Sequence, residues 1–317
     1  MTSSTTVRTG TRTIRLGADI GGTKTEVVAI DDHNNVLHTL RRPTGFGKDQ
    51  VLGTLFGLVR DVLGAETLLD RPVAGLGIGI PGIVDTDSGT VANAVNVGLK
   101  DLALGSVVTS ALGLPVSVEN DVNAAAVGAH HLLGAGQATG TSAYLNLGTG
   151  LAAGFVSNGQ LVRGASGAAG EIGHLPLLSG DLDTACPCGQ TGCLELVASG
   201  SGLARQWSGS GPWPAASLFD AALDGDPLAL DVQQRFFAGV AAAVRVLGLT
   251  FDPGVIYIGG GLNSLGQPLL SGIRQELARA GAASPFLAGL ALGHRVRLVP
   301  PGLPTGSVGA AICGNNS

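Results

Sequence analysis

One pattern occurs twice in this chain and narrows what it can fold into. Ile14–Ile20 reads as a buried strand that breaks at Asp19-Ile20-Gly21-Gly22-Thr23-Lys24, and a second strand follows at Thr25–Ile30. Later, Ser142–Leu147 reads as a buried strand ending in Gly148-Thr149-Gly150, followed by a strand at Leu151–Ser157. Both are strand, Gly/Thr turn, strand. A P-loop or Rossmann fingerprint needs a helix after its glycines, so neither fits here. The repetition predicts a duplicated α/β fold with one phosphate loop from each half. In the first copy the turn offers backbone N–H groups and the Thr23 hydroxyl to a phosphate, with Asp19 placed for a magnesium ion or its water shell.

The remaining elements fill in around these hairpins. Helical spacing of apolar residues predicts helices at Asp49–Leu63, Leu102–Leu112, Ala215–Ala222, Pro227–Leu247, Pro268–Arg279 and Ser307–Cys313. Strands are expected at Val36–Leu40, Val73–Ile80, Pro115–Val118, Val255–Ile258 and Val296–Val299. Pro81-Gly82 stops the strongly apolar Val73–Ile80, and a turn over Asp85–Thr90 leads to Asn93 and Asn96. Gly259-Gly260-Gly261 ends a later strand where backbone can lie flat against a ligand. A hinge near Asp121 is expected to separate a smaller domain, 14–121 plus the last helix at about 303–317, from a larger one at 122–302. Residues 1–13, rich in Ser, Thr and Arg without an apolar signal core, read as a disordered leader.

Two stretches carry chemistry. Gly170-Glu171-Ile172-Gly173-His174 is followed by Cys186-Pro187-Cys188-Gly189-Gln190-Thr191-Gly192-Cys193-Leu194-Glu195. His174 with Cys186, Cys188 and Cys193 has the composition of a closed tetrahedral zinc site, which points to a structural metal. Glu171 and Glu195 bracket it, so such a site would hold Glu171, His174 and Glu195 around one ligand. The second stretch, Glu119-Asn120-Asp121-Val122-Asn123, sits between a strand and an alanine-rich helix. It has more polar side chains than one helix cap needs. The excess has a use if Asp121 is a base and Asn120 donates to a hydroxyl.

Composition sets the limits. The 317 residues are 44% apolar and 13% charged, enough for two domains with a large core. A net charge of −5 without a basic cluster argues against nucleic acid or an anionic membrane as partner. No apolar run is long enough to span a bilayer. Four cysteines, three of them clustered, suit metal binding in a reducing cytoplasm better than disulfides.

Taken together, from about Leu16 onward, Asp19–Lys24, Glu119–Asn123, Gly148-Thr149-Gly150, Glu171–His174 and Cys186–Glu195 resemble the ROK family of sugar kinases and repressors. That family belongs to the actin-like, hexokinase-like ATPase superfamily. The resemblance implies a two-domain, ribonuclease H-like fold with a cleft between domains and a zinc site. It implies ATP, Mg²⁺ and structural Zn²⁺, and a homodimer or homotetramer. By the same resemblance Asp121 is the catalytic base. Gly82, Asn96, Asn120, Glu171, His174 and Glu195 bind sugar. Asp19, Gly21, Gly22, Thr23, Lys24, Gly148, Thr149, Gly150, Gly260 and Gly261 contact ATP, and His174, Cys186, Cys188 and Cys193 bind zinc. The implied reaction is phosphorylation of a hexose 6-hydroxyl, with glucose first. N-acetylglucosamine or N-acetylmannosamine, or a polyphosphate-using glucomannokinase, are the alternatives. A sugar-responsive repressor would need an N-terminal helix-turn-helix, for which thirteen residues before the first strand are too few. The family's second loop usually continues with three glycines, whereas here Leu151-Ala152-Ala153-Gly154 follows. The added methyl groups either crowd a phosphate or pack the following strand.

Overall fold

The computed structural model describes residues 13–134, 140–177, 184–209 and 213–314. Apart from Thr13, the expected leader lies outside the described residues. The chain divides into two compact units, one running to Leu132 and resuming at Pro304, the other Leu133–Leu303. The first unit carries β1 (Ile14–Ile20), β2 (Lys24–Ile30), β3 (Val36–Pro43), β4 (Val73–Ile80), β5 (Ile83–Asp85), β6 (Thr90–Ala94), β7 (Leu99–Leu102) and β8 (Val116–Asn120). The second carries β9 (Thr141–Leu147), β10 (Leu151–Ser157), β11 (Gln160–Leu161), β12 (Val255–Gly259) and β13 (Val296–Leu298).

The two main sheets follow one plan. The first runs β3-β2-β1-β4-β8 and the second β11-β10-β9-β12-β13. In each, the opening hairpin strands pair antiparallel, and the next two strands join parallel. This is the duplication that the repeated Gly/Thr turn predicts. The central strands β1, β4 and β12 are apolar along most of their length because helices cover such mixed sheets on both faces. Each unit has its own aliphatic core, around Leu16, Ile78 and Leu55 in the first and around Leu145, Phe236 and Ile258 in the second.

The structure differs from the sequence expectation in two places. A small antiparallel sheet, β5-β6-β7, stands where only a turn and an early helix start are expected. Its strands are short and partly exposed, and the helix expected from Leu102 begins at Leu104 after β7. The boundary also moves, because the helix Asp121–Leu133 falls almost wholly in the first unit. Packing against the terminal helix, Thr305–Cys313, explains this. A Cβ on Gly128 would lie 1.9 Å from the Thr305 carbonyl oxygen, and one on Gly309 1.7 Å from that of Ala124. Only glycines let the two helices approach so closely.

The same terminal helix lies directly on the sheet. Gly17 of β1 and Gly77 of β4 are register partners beneath it. A Cβ at Gly17 would fall 1.9 Å from Ser307 O, and one at Gly77 1.8 Å from Ala310 O. Gly77→Ala is therefore expected to lower Tm by about 5 °C or more through overpacking against rigid backbone. Gly53→Ala, on an exposed helix face with nothing within 4 Å of the new methyl, is expected to raise Tm slightly. Thermal melts of both variants check the contrast; a Gly77→Ala melt at or above wild type would contradict it.

Candidate active site

In the first unit the sequence-predicted residues collect at the carboxyl ends of the parallel strands β1, β4 and β8, where open α/β sheets place ligands. Asp19 closes β1, Gly82 follows β4, and Asn120 and Asp121 lead from β8 into a helix. The β1–β2 turn is tight: Gly21 N–H donates to Lys24 O at 3.0 Å, leaving Gly22, Thr23 and Lys24 exposed. Thr44, absent from the sequence prediction, braces this turn. Its hydroxyl donates to Gly21 O at 2.6 Å and its N–H to Thr23 O at 3.2 Å. Asn96 lies against the turn, its Cβ 3.3 Å from where a side chain on Gly22 would start.

The polar stretch at Glu119–Asn123 sorts into structural and exposed parts. Buried Glu119 accepts from Asn123 Nδ2 at 3.0 Å and from the Asn120 N–H at 2.9 Å. Asn120 is the helix cap. Its Oδ1 accepts from the N–H groups of Val122 and Asn123 at 2.9 and 3.2 Å, and its Nδ2 donates to Gly82 O at 3.2 Å. Asp121 Oδ1 accepts from the Val122 N–H at 3.0 Å, at the start of the helix. The cap thus fixes Asp121 at the strand end.

Asp19 sits in an electrostatically strained place. Its carboxylate fills the space beside Gly306 of the terminal helix, where a Cβ would lie 2.4 Å from Oδ2. It makes no hydrogen bond among the described residues. Burial, then the Asp121 and Glu26 carboxylates, push its pKa up to about 7 against the pull of Lys24 and Arg41. Glu26, Asp19's cross-strand partner, is itself buried and paired: it accepts from Ser307 Oγ at 2.7 Å and from Arg41 Nε at 3.0 Å.

In the second unit the other predicted residues form one continuous assembly. Gly148 and Gly260 follow the neighbouring parallel strands β9 and β12. A side chain on Gly260, whose φ is +83°, would strike Leu147 O at 2.5 Å and Asn146 Oδ1 at 2.6 Å. Asn146 therefore stands between the glycine motifs, a position the sequence prediction passes over. Gly261 beside it is exposed, as is Thr149 at the tip of the other turn. Leu151 and Ala153 point into the core, only 3% exposed, so their methyl groups pack the strand.

The segment bearing Glu171 and His174 is pressed onto β10. Ala153 N–H donates to Gly170 O at 2.8 Å, and a Cβ on Gly173 would fall 2.1 Å from Leu151 O. The ligand atoms of His174, Cys186, Cys188 and Cys193 all lie within 4.8 Å of one another. Cys188 and Cys193 sulfurs are 3.6 Å apart, and His174 Nδ1 is 3.9 Å from Cys186 Sγ. With Zn–S bonds of about 2.3 Å, tetrahedral geometry sets sulfurs about 3.8 Å apart, so the donor set fits. Burial pushes the Cys193 thiol up to about 12, while hydrogen bonds from Gln190 lower Cys188 to about 6. A dication would let all three thiols ionise together. The other face of His174 turns to Glu171, with Nε2 4.0 Å from Oε2.

Two copies of one mixed-sheet plan, each opening on a glycine turn, define a duplicated α/β protein consistent with the actin-like ATPases. The chain belongs to the ROK family, whose model matches residues 15–287. It is 31% identical over 279 residues to a glucokinase of Halalkalibacterium halodurans, spanning 82% of this chain and 84% of that protein. Among solved structures it resembles the ROK hexokinase of Thermus thermophilus, with a TM-score of 0.78 at 32% identity over 94% of this chain and 97% of that one. It also resembles a ROK family glucokinase of Streptomyces griseus in complex with glucose and AMPPNP, with a TM-score of 0.75 at 31% identity over 96% and 100%. Among the described residues no helix is long and apolar enough to cross a membrane.

The environment of Asp19 yields a stability prediction. A carboxyl raised from 3.8 to about 7 leaves the native state unpenalised at low pH; the penalty grows through that window and is complete above it. Asp19→Asn is therefore expected to raise the Tm of nucleotide- and magnesium-free protein more at pH 8 than at pH 5. Equal shifts at both pH values in differential scanning fluorimetry would contradict the assignment.

Proposed function

We propose that the chain is an ATP-dependent hexose kinase that phosphorylates the 6-hydroxyl of glucose. The observation that carries this is Asp121, capped at the carboxyl end of β8 beside the first glycine turn and Asp19, in a chain 31% identical to a glucokinase solved with glucose and AMPPNP. Phosphoryl transfer needs a positioned hydroxyl, a base for its proton and stabilisation of phosphate charge. Asp121 takes the proton from the sugar hydroxyl as its oxygen attacks the γ-phosphorus, whose bond to the β–γ bridging oxygen breaks to release ADP. Asn96, Asn120, Glu171, His174 and Glu195 orient ring hydroxyls. A site that hydrogen-bonds each hydroxyl rejects analogues lacking one. The N–H groups and hydroxyls of Gly21–Lys24, Gly148–Gly150 and Gly260-Gly261 hold phosphate. Magnesium, when bound, neutralises charge on the phosphates, and the repelled carboxylate of Asp19 is suited to hold its water shell.

His174, Cys186, Cys188 and Cys193 would hold a zinc ion that stiffens this segment, and the His174 ring also faces Glu171 through Nε2. The ion's role is structural, and oligomerisation as a homodimer or homotetramer is part of the same proposal.

A coupled assay with Mg-ATP against glucose, mannose, N-acetylglucosamine, N-acetylmannosamine and fructose, with polyphosphate as a second donor, tests the assignment. Glucose is expected to give the highest kcat/KM, and Asp121→Asn to lower kcat by about 10³-fold or more while glucose still binds. Near-normal turnover in the mutant would remove Asp121 from the mechanism, and preference for an N-acetylhexosamine would reassign the substrate. For the metal, Cys188→Ser is expected to bring zinc well below one per chain and raise sugar KM by about tenfold or more. Unchanged zinc content, read by plasma emission spectrometry, would count against the cluster.

A further inference from the structure

The second glycine turn is held by a bracket whose first residue is a proposed sugar ligand. Leu151 N–H, immediately after Gly148-Thr149-Gly150, donates to Glu195 Oε2 at 2.9 Å. The carboxylate lies over the turn: a Cβ on Gly150 would sit 2.6 Å from that oxygen. The next residues grip the turn's carbonyls. Gly200 N–H donates to Gly148 O at 2.8 Å, and Ser201 N–H to Thr149 O at 3.1 Å. Ser199, fully buried, locks the bracket onto itself by donating to Glu195 O at 2.8 Å and accepting from Gly202 N–H at 3.0 Å. Leu196, Val197 and Ala198 are buried in the core beneath.

Two of the three grips are backbone to backbone and sit on buried structure. The third is a side chain, and Glu195 is half-buried, with Oε1 making no hydrogen bond among the described residues. We propose that Glu195 couples the two substrates: Oε2 holds the phosphate turn, and Oε1 accepts a sugar hydroxyl. This rests on the hexose-kinase function proposed above. A sugar hydroxyl on Oε1 fixes the side-chain torsions that also aim Oε2 at Leu151. The ordering of the turn is then already complete when nucleotide arrives, so sugar tightens nucleotide without touching it. Glu195 acts on the nucleotide through the turn, as a positioning residue. The Leu151 N–H, being engaged by Glu195, is not itself a phosphate donor.

The test measures the Kd of Mg-AMPPNP by calorimetry, with and without saturating glucose, in wild type, Glu195→Gln and Glu195→Ala. Glutamine keeps a carbonyl oxygen for Leu151 N–H, whereas alanine leaves that N–H without its partner. Glucose is expected to tighten AMPPNP by about fivefold or more in wild type. Without sugar, Glu195→Gln is expected to stay within about twofold of wild type and Glu195→Ala to bind about five- to tenfold more weakly, with the sugar effect gone. If alanine binds AMPPNP like wild type, or if glutamine and alanine weaken it equally, the coupling role is overturned. If Glu195→Ala does not fold, Glu195→Asp, whose carboxylate is one methylene short of the Leu151 N–H, is expected to give the same loss. A wild type that phosphorylates no hexose would defeat the kinase assignment alone, because the sugar-free comparison of the variants still measures the bracket.

Discussion

The architecture of the first unit depends on one unusual contact, the seating of the Thr305–Cys313 helix directly on sheet and helix backbone. Gly17, Gly77 and Gly128 remove side chains on one side of that contact, and Gly306 and Gly309 on the other. Such contact maximises dispersion and shape fit while leaving no room for adjustment. What it gains is position. The missing side chain of Gly306 makes the space for the Asp19 carboxylate, and Ser307 one residue on holds Glu26. The helix that Asp121 begins is locked against the same element through Gly128. The acidic groups of this unit therefore share one rigid reference, although they come from β1, β2 and the residue after β8.

The second unit solves the same problem with directional bonds. Its glycine turn follows the equivalent strand of the repeated plan and is held from within the unit. Carbonyls of the turn are held by Gly200 and Ser201, and the Glu171–His174 segment is laid on β10 by glycines that admit backbone contact. The Pro176–Cys193 bridge, with Leu194 N–H donating to Leu175 O at 3.0 Å, ties the histidine and cysteine segments side by side. A metal held by His174, Cys186, Cys188 and Cys193 would stiffen polypeptide that has little regular structure of its own.

Most of the fold was legible because strong local signals coincided. β1, β4 and β10 match their predicted spans since each is an apolar run stopped by glycine, proline or a polar residue. β5, β6 and β7 were not, being short strands containing Asp85, Asn93, Lys100 and Asp101, whose polarity reads as loop. Within the candidate site, the residues with distinctive chemistry stood out and their supports did not. Thr44, Asn146, Ser199 and Gly306 are ordinary residues in sequence; only the chain's path sets them against a glycine turn or a carboxylate. Glu119 and Asn123 had the right chemistry for a site and turned out to bond each other.

The discontinuity of the first unit has a consequence for how such a chain is born. Its sheet and the Asp121–Leu133 helix are made early, but the helix that fits against them comes only after Leu303. The second unit is contiguous, so its partners are all present as soon as it has emerged. During synthesis the order of translation and the order of completion are therefore reversed. The half carrying Asp19 and Asp121 cannot complete its packing until the last helix of the chain has been made.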